Sequence, residues 1–274
     1  MRHLLLLLCL VTLFQQPSQA APEPQLWPAW LASADTETER PDHAYWQQFL
    51  DRHLTGGKEG VNLLDYAGAA NEQLELKRYL INLQATPVSK LTRPQQRAFW
   101  INLYNAATVA TILEHYPVPS IRDIDTSPGL FADGPWGRKF LSIEGLELSL
   151  DDIEHRILRP IWKDNRLHYA LNCASIGCPN LQPQAFTAAN SEELLESAAS
   201  DYINHPRGAK VVKGELLVSS IYNWFQVDFG NSENGVIEHL RRYAKTSLLN
   251  EIEGIDEIEK YHYDWSLNDL KVTE

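Results

Sequence analysis

Residues 92–115, TRPQQRAFWINLYNAATVATILEH, hold the longest helical pattern in the chain and decide how the rest must be arranged. Thr92 is a helix-capping residue type, and Pro94 falls in the first turn, where a missing N–H costs no hydrogen bond, so a helix is predicted from about Pro94 to His115. Phe99, Leu103, Ala106, Ala107, Ala110 and Leu113 recur on one arc at helical spacing, and Ile101, Val109 and Ile112 cover much of the remaining circumference. A helix apolar on most sides must be surrounded, which predicts a central, buried helix. Asn102 falls inside the apolar arc. A buried carboxamide without partners costs about 2 kcal/mol or more, so Asn102 either pins neighbouring backbone or points into a binding site.

Outward from this helix the pattern is of short elements. Ala44 to Leu54 and about Ala70 to Leu83 read as helices, with Val61 to Tyr66 a short strand between them. Lys139 to Ser149 alternates around Gly145 and predicts a β-hairpin, and Lys210 to Ser219 predicts a second around Lys213-Gly214. Ser149 to Leu158 reads as a capped helix with an apolar arc of Leu150, Ile153, Ile157 and Leu158; Glu154 lies on that arc and His155 on its flank. Leu167 to Asn172 reads as a strand that delivers Cys173 into a small-residue turn. Ser191 to Asn204, Ile221 to Phe225 and Val236 to Ala244 read as helices, and Tyr261 to Trp265 as the last strand. Helices with short antiparallel pairs between them predict a single α+β domain over residues 42–274.

Composition supports one folded domain: 274 residues, 44% hydrophobic and 22% charged. The formal charge of −12 gives no electrostatic reason to bind nucleic acid, which needs clustered Lys and Arg. Residues 1–20 read as a cleaved secretory signal: Arg2 and His3 precede the apolar run Leu4 to Phe14, and a polar break ends in Ala20. That run is eleven residues, against the roughly 20 of a spanning helix, so no stable membrane insertion is expected after cleavage. Residues 21–41, rich in Pro, Ala, Glu and Thr, read as a linker or extended arm. Export predicts a periplasmic or secreted protein. Once the leader is removed, Cys173 and Cys178 are the two remaining cysteines, in a compartment where thiols tend to pair.

Four segments closely resemble the Domain of Unknown Function 547 family: Arg97 to Ala106, Ser149 to His155, His168 to Pro179, and Tyr263 to Asn268. The resemblance spans about residues 42 to 270. It implies an exported bacterial member of a family without an agreed reaction, some of whose eukaryotic members carry redox-type neighbours.

Two readings of the cysteines stand side by side. In the first, Cys173 is a nucleophile, its thiolate favoured by His155, which reaches the strand end from another element. Asp264 is favoured over Glu154 for orienting the imidazole, since Glu154 points elsewhere on its helix, and Asn172 with the amides after Cys173 would stabilise an oxyanion. This predicts a thiol hydrolase or acyl or peptidyl transferase acting on a peptide, cell-wall or acyl substrate. His155 before Cys173 reverses the papain-like or transglutaminase-like order and would require a permuted topology. Asn102, His168 and Trp265 are the candidate binding residues, with His168 on the opposite face of the strand from Cys173. In the second reading, Cys173 and Cys178 form a disulfide, structural or exchanging, in a non-catalytic binding module where Trp100, Tyr104, Trp136, Trp162, Trp224 and Trp265 are packing. A zinc site of Cys173, Cys178 and His155 lacks paired ligand spacing. No cofactor is expected, because no phosphate-cradling glycine loop, serine nucleophile elbow or metalloprotease helix is present.

Overall fold

A computed structural model describes residues 22–57, 59–128 and 133–273, so the predicted leader lies outside the described residues. The longest helix, α4 (Arg93–His115), has 18 buried residues out of 23 and forms the axis of the larger core. Its start is fixed by a capping box in which Thr92 and Gln95 satisfy each other's backbone amides. Before it come α1 (Ala44–His53), the antiparallel pair β1 (Leu54–Gly56) and β2 (Asn62–Leu64), the single turn α2 (Tyr66–Ala69), and α3 (Gln73–Gln84), which packs along α4.

After α4 the hairpin β3 (Leu141–Ile143) and β4 (Leu146–Leu148) leads into a π-helix, Asp152–Leu158, and one α turn, α5 (Arg159–Trp162). The predicted helix therefore does not stop before Pro160. It widens instead: the Arg159 amide reaches the carbonyl of Glu154, five residues back, rather than that of His155. Pro160 has no N–H to offer, so the carbonyls of His155 and Arg156 are free, and the amides of Gln25 and Trp27 take them at 2.9 and 3.0 Å. Residues 22–41 thereby run along the π-helix and the start of α4, with Trp30 buried against Trp100 and Trp27 lying under the Arg156 guanidinium. In the wide turn both Glu154 and His155 are buried, where α-helical geometry would have turned His155 to the flank.

A second, smaller core gathers α6 (Ser191–Ile203), β5 (Ala209–Val212), β6 (Glu215–Ser219), α7 (Ile221–Trp224) and α8 (Glu233–Tyr243). α9 (Thr246–Glu251) adds Leu248 to it, and β7 (Lys260–His262) joins β6 in parallel, unlike the antiparallel pairs elsewhere. A parallel partner is possible because α8 and α9 carry the chain back across the sheet between β6 and β7. The architecture is α+β, with three small sheets among the described residues.

The predicted strand Leu167 to Asn172 is not a strand. Asp164 caps a 3-10 helix, Asn165–Tyr169, and the chain then runs on irregularly to Cys173. Leu167, Ala170 and Leu171 enter the larger core and Tyr169 the smaller, so this segment lies in the seam between them. Its backbone finds a strand-like partner in a side chain: Asn105 of α4 donates to the Ala170 carbonyl and accepts from the Asn172 amide, both at 2.9 Å. Asn102 does the same for Phe186, at 2.8 and 2.9 Å. The polar residue on the apolar arc thus pins backbone and does not open into a site.

Candidate functional site

The seam delivers Cys173 half-buried, with Cys178 buried behind it and their sulfurs 3.0 Å apart as free thiols. The Cys173 sulfur also meets the hydroxyls of Tyr263 at 3.0 Å and Ser175 at 3.3 Å, and the Cys173 amide donates to the Cys178 sulfur. These contacts push the two thiols in opposite directions. For Cys173, burial acts to raise the pKa, but the hydrogen bonds from Cys178, Ser175 and Tyr263 outweigh it, and the thiol is lowered. Burial, reinforced by the neighbouring Cys173, pushes the Cys178 thiol well up.

The loop that carries them is held on every side. Asn172 accepts from the Ala174 amide and donates to the Pro179 carbonyl, which fixes Ala174 in the left-handed region at φ 59°. The amides of Ile176 and Gly177 donate to the carbonyls of Ser266 and Asp264, and that of Cys178 to Ser175. Tyr202 and Arg207 bond the carbonyls of Gly177, Ile176 and Cys178. Gly177 is required at this approach, since a Cβ there would lie 2.7 Å from the Asp264 amide nitrogen. Of the expected oxyanion donors, Asn172 and the amides of Ala174, Ile176, Gly177 and Cys178 are therefore already engaged, whereas the Ser175 amide donates to no described residue.

His155 and His168 belong to a second cluster, built on the π-helix, α5 and the 3-10 helix. Asp228 accepts from Arg159 at 2.6 Å and from Nε2 of His168 at 2.8 Å. The side chain of Arg159 is 2% exposed and lies over Phe225, and it also donates to the Pro22 carbonyl and, at 3.1 Å, to Nδ1 of His155. A guanidinium has no acceptor, so His155 must accept at Nδ1 and carry its proton on Nε2, which faces Asp151 at 3.6 Å. Its basic lone pair is turned to Arg159 and not to the sulfur. Glu154 lies between the two rings, 4.0 Å from Nδ1 of His155 and 3.8 Å from Nδ1 of His168. The charge of Glu154 opposes ionisation of the Cys173 thiol.

Asp264 does not enter this cluster. It is exposed, its carboxylate accepts from the Ser266 amide, and it lines a cavity of about 1050 Å³ to which neither Cys173 nor His155 contributes. The acid that orients an imidazole is Asp228, which sequence reasoning missed; its one signal is a lone carboxylate in the aromatic run Trp224 to Phe229. Arg159 is likewise missed, although it stands one helical turn after His155. Trp265 is half-buried in an aromatic group with Trp224, Tyr263 and Trp136, centroids 4.6 to 5.8 Å away, beside the cysteine loop. Among the described residues no group of three or more His, Cys, Asp or Glu is arranged to hold a metal ion, and no helix is long and apolar enough to cross a membrane.

Residues 88–203 match the model of the family described as "Protein of unknown function, DUF547". The match runs from the turn before α4 through α6, so it contains the π-helix, His168 and both cysteines; Asp228 and Tyr263 lie outside it. No curated protein and no solved structure is detectably similar to the chain.

Proposed function

We propose that the protein carries out thiol–disulfide exchange, with Cys173 the attacking and Cys178 the resolving thiol. The observation that carries this reading is the pair of sulfurs 3.0 Å apart, the outer one lowered in pKa and the inner one raised. The Cys173 thiolate attacks one sulfur of a substrate disulfide, and the other leaves as a thiolate. Cys178, deprotonated, then attacks Cys173, the mixed disulfide breaks, and the substrate departs reduced while the protein holds a Cys173–Cys178 disulfide. Two further thiols, from a protein dithiol or from two small molecules, leave as a disulfide and return Cys173 and Cys178 to thiols. Exchange needs a thiolate, a neighbouring thiol and access, whereas acyl transfer also needs several convergent oxyanion donors, and of the amides after Cys173 those of Ala174, Ile176, Gly177 and Cys178 are engaged elsewhere. The apolar leader fits export to the periplasm or beyond, where disulfide substrates are found.

The test is adduct trapping with glutathione disulfide followed by intact-mass measurement, on chains carrying Cys9→Ser so that Cys173 and Cys178 are the two thiols. Cys178→Ser should accumulate one stable glutathione adduct at residue 173, Cys173→Ser none, and the parent chain should lose both thiols without retaining glutathione. Equal adducts on both variants would overturn the assignment of roles. A chain whose cysteines react only after unfolding would instead be the non-catalytic binding module with a structural disulfide.

A second reading, a thiol hydrolase or acyl or peptidyl transferase using Cys173 and His155, draws on the aromatic group of Trp136, Trp224 and Trp265 beside the thiol, which would suit a peptide, cell-wall or acyl group. It requires His155 to leave Arg159 and turn its lone pair toward the sulfur. A hydrolysable acyl probe that labels Cys173 only while His155 is present would favour it over exchange.

A further inference from the structure

The cavity of about 1050 Å³ that Asp264 borders is as large as the larger small-molecule sites, and its charges are unevenly arranged. The acids on its lining, Glu59, Glu193, Asp201 and Asp264, are all exposed, whereas Arg207 and Lys210 are half-buried. Arg207 is fixed in the wall by neutral acceptors. Its Nη1 donates to the carbonyls of Ile176 and Cys178 at 2.9 and 2.8 Å, Nη2 to Oδ1 of Asn180 at 3.0 Å, and Nε to Nδ1 of His205 at 3.2 Å. His205 is held for this by its Nε2, which donates to the Glu59 carbonyl at 2.7 Å. Of the five N–H groups of the guanidinium one, on Nη2, bonds to no described residue. Lys210, on β5, bonds to none through its ammonium, and no described carboxylate comes within ion-pair distance of either side chain. Hydrogen bonding therefore positions the Arg207 charge without neutralising it, and a half-buried charge is costly until a counter-charge arrives.

We propose that this cavity binds the carboxyl-terminal end of a short peptide, its carboxylate held by Arg207 and Lys210. A fixed guanidinium and a mobile ammonium side by side suit a carboxylate, which accepts charge-assisted hydrogen bonds from both. A polyanion suits the cavity less well, because its far charges would meet the exposed acids. A peptide is anionic at one end only, and its other end, neutral or cationic, is compatible with Glu193 and Asp201 on α6. Three extended residues span about 10 Å, a length that a cavity of this size admits. Tyr263 joins the site to the thiol pair, since it lines the cavity and sets its hydroxyl 3.0 Å from the Cys173 sulfur. The binding itself does not rest on the exchange reading, and its test reads no thiol.

The experiment is isothermal titration calorimetry of the full chain with tri-L-alanine, tri-L-alanine amide and inorganic phosphate. Trialanine should bind, and its amide should bind about tenfold more weakly or worse, because the amide cannot pair with a buried cation. Arg207→Gln should abolish the preference for acid over amide. That variant also removes bonds to the cysteine loop, so Lys210→Gln, which breaks no bond to a described residue, is titrated beside it and should reduce the preference by about threefold or more. No binding of trialanine, or acid and amide within about twofold of each other, would overturn the proposal. So would an unchanged preference in Lys210→Gln, and phosphate binding more tightly than trialanine would show a site for simple anions in place of a peptide.

Discussion

The cysteine loop and the histidine cluster are neighbours with opposite constructions. In the loop, residues 172–178, most backbone donors and acceptors are bonded to named partners, which holds the two sulfurs in place. In the cluster, charges are concentrated around one wide helical turn, where Asp228 ties Arg159 to His168 and the Glu154 carboxylate stands 4.0 and 3.8 Å from two imidazoles. The loop fixes geometry; the cluster gathers charge. A bonded backbone network resists displacement, whereas charged side chains can exchange partners.

The sharpest way to break the contrast is Asp228→Ala. It leaves Arg159 buried without its carboxylate and removes the partner of His168, so a loss of about 3–5 kcal/mol in denaturant unfolding is expected. The same variant has a pH signature. Burial would raise the Asp228 carboxyl, but His168 and Arg159 hold it below the usual carboxylate range. Its contribution is therefore present above the unfolded carboxylate value of about 4 and lost as pH falls through the lower folded value. Stability of the parent should fall over that acid range, and that of Asp228→Ala should fall less.

A smaller effect is expected from the loop. Asn172→Ala removes two side-chain bonds at once and leaves the Ala174 amide and Pro179 carbonyl unsatisfied, which should cost about 2–3 kcal/mol. Thiol kinetics sharpen the comparison: if the loop places the sulfurs, this variant should react more slowly with glutathione disulfide than the parent, and an unchanged rate would show that placement does not limit the reaction. The smallest effect belongs to Asp264→Ala. Its carboxylate bonds one exposed amide, so a change within about 0.5 kcal/mol and unaltered thiol kinetics are expected; a slowed reaction with glutathione disulfide would restore Asp264 to the site.

The sequence alone determined the buried axis, because a helix apolar around most of its circumference can be satisfied only by being surrounded, and it determined the hairpins at Gly145 and Gly214 through turn chemistry that is local. It also singled out Cys173, Cys178, Glu154 and His168, since a thiol pair and polar groups in apolar surroundings stand out in any register. What it did not determine was which of them meet. The strand expected at Leu167 to Asn172 became a 3-10 helix and an irregular run because Asn105, 67 residues away from Asn172, supplies the backbone bonds a strand partner would have supplied. The widened turn at Glu154 depends on the Gln25 and Trp27 amides accommodating the carbonyls that Pro160 leaves free. The partner of His168 comes from Asp228, 60 residues on, and the partner of Cys173 from Tyr263, 90 residues on. Periodicity and turn propensity act over a few residues, whereas the chemistry of this site is set by hydrogen bonds across the seam between two cores, and only the packed chain brings those donors and acceptors together.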